Sequence, residues 1–205
     1  ITCRDWSSDV CSSDLFMGAG SRQKVPAEFT LTEGRLAVFV DDPDELVSVP
    51  EAINELIDAV GRELKSAGVN DRAVTARQVV RDVYSQAGHG NWSIRQVGEK
   101  LGALQVVYLQ VRRFSIRDRA GDQVYQGRWE VSVKVIGTDR TSDVRLWPAS
   151  PQQGSPVSVT TPVEQSDDPG YARELGRRMA RDLAARVALK FYAHTLEKHE
   201  EVAGS

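Results

Sequence analysis

The sequence predicts a two-layer α/β sandwich: a mixed sheet of four to five strands with helices mainly on one face and a long C-terminal helix. Three observations lead there. A short apolar run closed by acids and proline precedes a capped amphipathic helix. A segment that is apolar on both faces is followed by one that alternates strictly between apolar and polar. Near the end, apolar residues recur every fourth position with small alanines beside them. The 205 residues are 40% apolar and 27% charged, which suits one domain with a real core.

The first fifteen residues are set aside. Asp5 to Leu15 (DWSSDVCSSDL) back-translate to a common short-read sequencing adapter in one frame, and Ile1 to Arg4 fit the index bases ahead of it. Both cysteines, Cys3 and Cys11, fall in this segment, so cysteine usage says nothing about redox compartment. Without Arg4, Asp5, Asp9 and Asp14 the chain holds 25 basic and 26 acidic residues. That balance gives no general attraction to nucleic acid. The expected organisation is an adapter artefact over 1–15, a tether or edge segment over 16–34, one α/β domain over 35–196 and a charged tail over 197–205.

Arg35 to Val40 (RLAVFV) reads as a buried strand that exits at Asp41, Asp42 and Pro43. Ser48 and Glu51 are spaced as a capping box, Pro50 suits a first helical turn, and Ile53, Leu56, Ile57, Val60 and Leu64 mark the buried face of a helix stopped by Gly68. A weaker helical pattern (Val74, Val79, Val80, Val83, Tyr84) runs to the loop GHGN. Ser93 and Gln96 box the start of a second clear helix bearing Ile94, Val97 and Leu101.

Leu104 to Ile116 is a strand whose LQVVYL half suits a central position. Ala120-Gly121-Asp122 signals a turn. In the next strand, Tyr125 to Ile136, Trp129, Val131, Val133 and Val135 face the core, while Arg128, Glu130, Ser132 and Lys134 face water. Val144 to Trp147 is a short strand ended by Pro148, and Val157 to Thr160 an edge strand. Asp167 or Asp168 caps the last helix, expected over Gly170 to Leu196, with the stripe Leu175, Met179, Leu183, Val187 and Phe191. Strands joined through helices should run parallel.

No reactive constellation stands out, so no catalytic residue, metal ligand or cofactor is expected. Asp41, Asp42, Asp44 and Glu45 could gather round a divalent cation as a cation-dependent enzyme would need, but they lack ligands at regular alternate positions and read better as a solvated turn. His89, His194 and His199 show no paired zinc spacing. Neither GxSxG, GxGxxG nor GxxxxGK[ST] occurs. The last helix carries Arg173, Arg177, Arg178, Arg181, Arg186 and Lys190, which offers an alternative reading as a surface for nucleic-acid phosphates or lipid headgroups. Trp92 and Trp147, beside loops, and Arg178 are the candidate partner-binding residues.

RLAVFVDD, the capped helix after it, IRQVGEKLGALQVVYLQVRRFSI and QGRWEVSVKVI together resemble the α/β domain of several bacterial envelope proteins. These include the amino-terminal domain of the translocation protein TolB and the periplasmic domain of the curli-secretion lipoprotein CsgG. The resemblance covers about Arg35 to Leu196 and includes Leu101-Gly102-Ala103 at the end of the short helix. Leu109-Gln110 stands where the group has Gly-Ser, and the Asp-x-x-Thr-Gly turn after the hairpin is not clean. The resemblance implies a non-enzymatic accessory protein of the envelope or periplasm, often a lipoprotein, that binds an envelope protein partner. Phe16 to Gly20 then reads as the remnant of a lipid-attachment region, the one route to a membrane, and the polar stretch after it as a tether. The sequence is silent on oligomeric state.

Overall fold

A computed structural model of the chain describes residues 23–119, 124–139 and 144–196. The adapter-like segment, the stretch expected to be a lipid-attachment remnant, the expected Ala120–Asp122 turn and the expected charged tail lie outside the described residues.

The chain begins with β1 (Gln23–Val25) and β2 (Leu36–Asp41), then α1 (Pro50–Ser66), the single turn α2 (Ala76–Val79) and α3 (Ile94–Lys100). The long hairpin β3 (Gln105–Arg119) and β4 (Val124–Gly137) follows, with β5 (Val144–Trp147), β6 (Ser155–Thr160) and β7 (Glu164–Gln165). Last come α4 (Tyr171–Ala188) and β8 (His194–Leu196).

The architecture is the mixed-sheet α/β fold that the sequence predicts. β2 runs parallel to β3, and β3 pairs antiparallel with β4. The far edge of β4 is long enough to receive β5, β6 and β7 one after another, giving a six-stranded sheet. β3 is central, as its two apolar faces require. Its register shifts between Val111 and Arg113, a bulge that leaves Arg112 extra.

Alternation sorts the two faces. Val38, Val40, Val107, Leu109, Trp129, Val131, Val133, Val135, Val157 and Val159, all buried, lie on the side covered by α1 and α4. Those helices pack side by side at Gly176, where a Cβ would come within 3.3 Å of Val49. The apolar stripe of α4 is fully engaged, with Leu175, Met179, Leu183 and Val187 no more than 2% exposed. The indole N–H of Trp129 is the one buried side-chain polar atom without a partner among the described residues, at a cost of about 1–3 kcal/mol.

Several boundaries differ from expectation. Ser48 and Glu51 do not cap α1: the cap position falls on Val49 without a side-chain hydrogen bond, because Pro50 takes the first helical position. The weak helical pattern after Gly68 resolves into α2 and a π-turn over Val80–Tyr84, which leaves Val80 exposed. α4 stops at Ala188. A 3-10 turn over Leu189–Phe191 keeps Phe191 buried, and the chain then straightens to pair with β1. Ser132, expected in water, is buried because the Gln153 carbonyl accepts its hydroxyl.

The second sheet face is covered only at one end. The chain from Asn70 to Val74 lines the outer edge of β2, where the Leu36 carbonyl accepts from the Val74 N–H at 2.8 Å. α3 then crosses beneath Val106 and Thr138, so close that a Cβ on Gly98 would meet a Val106 methyl at 2.8 Å. Beyond α3 this face of β3 and β4 is open.

Candidate functional site

Where β2 ends, the chain makes a tight acidic turn. Both carboxylate oxygens of Asp42 accept backbone N–H groups, from Leu46 and Val47, each at 2.9 Å. The turn carries Glu45 at φ 50, left-handed backbone that a glutamate seldom adopts. It delivers the chain to Pro50, whose fixed φ suits the first turn of α1.

The opposite wall comes from the segment between α2 and α3. The π-turn places the Tyr84 ring 5.5 Å from Phe39, and its hydroxyl donates to the Val40 carbonyl at 2.5 Å. Phe39 is stacked 6.4 Å from Tyr108, whose hydroxyl donates to the Asp41 carboxylate at 2.5 Å. His89 sits edge-on to Tyr84 at 5.9 Å. Trp92 is half-buried, with the Lys100 amine 5.6 Å from its ring centroid. It enters through the capping box of α3: the Ser93 and Gln96 side chains each accept from the other's backbone N–H.

These walls enclose a cleft of about 790 Å³ beside the end of β2, lined by Phe39, Tyr84, His89 and Trp92 with Asp41, Asp42 and Glu45 at its acidic side. That is the size of a ligand or side-chain pocket. No Lys or Arg stands among its described lining residues; its negative charge lies on the Asp41, Asp42 and Glu45 side, opposite the Trp92 ring that Lys100 approaches. Burial, with the Asp41 and Asp42 charges adding to it, pushes the Tyr84 phenol well above its ordinary range; the hydroxyl's bond to Val40 opposes this. Burial, the hydrogen bond to Asp41 and that residue's charge do the same to Tyr108. Both phenols are therefore neutral donors at physiological pH.

Of the three residues singled out for partner binding, Trp92 alone lies in this cleft. Trp147 is buried, its ring edge-on to Phe191 at 5.9 Å. Arg178 is 2.8 Å from Glu164, which also accepts the Tyr171 hydroxyl. Those two bonds, Tyr171 first, hold the Glu164 carboxyl below its usual range. The three residues are not brought together. The fold instead joins Trp92 to Asp41 and Asp42, which the sequence reading kept apart. It adds Tyr84, with Tyr108 behind it bonded to Asp41; both read as core, and their polar phenol tips were the available signal.

The cations of α4 and of the 3-10 turn after it are largely committed within the fold. Arg181 reaches Glu174 at 2.9 Å, Lys190 reaches Glu28 at 2.7 Å, and Arg186 donates to the Ser158 carbonyl at 2.9 Å. Among the described residues no group of three His, Cys, Asp or Glu side chains is placed to hold a metal ion. Nor is any helix long and apolar enough to cross a membrane.

No protein-family model matches the chain, and no curated protein matches it. Solved structures do. The PelC dodecamer from Paraburkholderia phytofirmans is 12% identical with a TM-score of 0.45, over 84% of this chain and 99% of that one. The hypothetical protein CT253 from Chlamydia trachomatis is 14% identical with a TM-score of 0.42, over 77% and 96%. Lipoprotein GNA1162 from Neisseria meningitidis is 11% identical with a TM-score of 0.42, over 73% and 97%. At such identities and scores the likeness assigns neither family nor function.

Proposed function

We propose that this chain is a non-enzymatic recognition or accessory module of the bacterial cell envelope, from a lipoprotein precursor, and that it takes its protein partner in the cleft beside β2. The envelope setting is supported by the resemblance of residues 35–196 to the TolB and CsgG domains. The cleft carries the mechanistic part. Its aromatic wall and acidic side complement a lysine or arginine flanked by apolar residues in a partner segment: the rings accept the side-chain stem and the carboxylates its charge. Asp41 and Asp42 are tied to Tyr108 and to the turn that follows. They are thereby fixed in place, which suits holding a cation more than moving a proton.

The test is selection of a peptide library on the full chain, followed by fluorescence titration of the selected peptides. Enrichment of Lys or Arg beside apolar residues, lost in Trp92→Ala and weakened in Asp41→Asn, is expected. Absence of enrichment, or turnover of a substrate at this cleft by the purified protein, would overturn the reading.

A further inference from the structure

The open half of the second sheet face presents a group of hydrogen-bond donors that the cleft does not use. Cross-strand register aligns Ser115, Arg128 and Thr160 in one row over β3, β4 and β6, with Arg113 opposite Glu130 in the next. With Gln126 these side chains line a shallow pocket of about 410 Å³. Every lining side chain can donate, and none is acidic. Arg113, Ser115, Gln126 and Thr160 have no side-chain partner among the described residues. The adjacent carboxylate, Glu130, forms an ion pair with the Arg128 guanidinium at 3.6 Å, longer than a hydrogen bond, so an incoming anion competes with it.

The surrounding face has the same sign. Arg112 projects from the bulge in β3, and Lys134 and Arg145 follow on β4 and β5. Partial burial, then the Arg112 and Arg145 charges, push the Lys134 amine below its ordinary range. A chain close to neutral overall thus gathers Arg112, Arg113, Arg128, Lys134 and Arg145 on one sheet face, with Glu130 paired to Arg128 among them. Two guanidiniums on neighbouring strands, with two hydroxyls and an amide around them, match the several acceptors of a tetrahedral oxyanion.

We propose that the pocket between Arg113 and Arg128 is an oxyanion site that takes a phosphate group. The two guanidiniums supply charge and the Ser115 and Thr160 hydroxyls orientation. The phosphate can arrive free in solution or on a lipid headgroup.

Calorimetric titration of the full chain with inorganic phosphate at low ionic strength tests the first source. Flotation with phosphatidylcholine vesicles, with and without phosphatidylglycerol, tests the second. Saturable phosphate binding identifies a soluble ligand, and flotation that needs phosphatidylglycerol identifies a headgroup; either supports the site. Arg113→Gln with Arg128→Gln should weaken whichever response is seen by about tenfold or more. Glu130→Gln should strengthen it several-fold, and Arg77→Gln, exposed on α2, should leave it unchanged. The substituted arginines are exposed and Glu130 is half-buried, so melting curves should stay close to wild type and separate lost binding from lost folding. No response to either probe, or an equal response in the double variant, overturns the proposal. The cleft beside β2 is unaffected by that outcome, since none of these residues lines it.

Discussion

Tyr108 on the central strand donates its phenolic hydrogen to Asp41 at 2.5 Å, across 67 residues of chain. The bond holds the Asp41 carboxylate from behind the cleft lining and needs the phenol protonated. Tyr108 and Tyr84 both have folded-state pKa values raised above the ordinary value of 10.0. Their stabilising contribution is therefore complete below about pH 10 and is lost as the pH rises through their folded-state range. Denaturant midpoints should fall on the alkaline side, and Tyr108→Phe should flatten that limb while costing about 1–2 kcal/mol at neutral pH. An alkaline limb equally steep in the variant would refute this.

Trp92 and Trp147 should separate cleanly. Trp147 is buried against Phe191, and Trp147→Ala should cost about 3–5 kcal/mol in urea unfolding. Trp92 is half-exposed at the cleft. Trp92→Ala should cost less than about 2 kcal/mol yet abolish binding of the selected peptides. The reverse order of stability losses would place the anchor elsewhere.

Gly127 lies directly under Met179. A Cβ there would press on the Met179 sulfur, with its terminal methyl only 3.1 Å away. Gly127→Ala should destabilise by about 1–3 kcal/mol. Adding Met179→Ala should cost less in that background than in the wild type, a coupling that a double-mutant cycle reads directly.

The acidic turn sets stability against recognition. Asp42→Ala removes the acceptor for two backbone N–H groups and should cost about 1–2 kcal/mol. Glu45→Gly should relieve the left-handed backbone and raise stability by up to about 1 kcal/mol, while weakening the cationic peptides. Tighter peptide binding in Glu45→Gly would show that its carboxylate plays no part.

Local chemistry made much of this fold readable. The Ser93–Gln96 box, the alternation from Trp129 to Val135 and the four-residue spacing from Leu175 to Val187 each state a short-range rule that the fold obeys. Short-range rules also misled. Ser48 and Glu51 have the right spacing but lie one residue early for a helix that Pro50 starts, whereas Thr75 and Gln78, with the same spacing, do form a box. Phe191 continued the helical period through a turn that is no longer α-helical. The cleft was hidden for another reason: Asp41, Tyr84, Trp92 and Tyr108 are distant in sequence and meet only because β2 and β3 are parallel and the chain between them wraps an edge.

β1 and β8 pair antiparallel, with Gln23 opposite Leu196 and Val25 opposite His194. The chain therefore enters and leaves the domain side by side. Tension between whatever is joined at either side would peel this ribbon from its open end, one register at a time, as a zipper parts and a lap joint does not. A pull transmitted through the protein would spend itself there first, as a mechanical fuse, before it reached α1, α4 or the sheet beneath them.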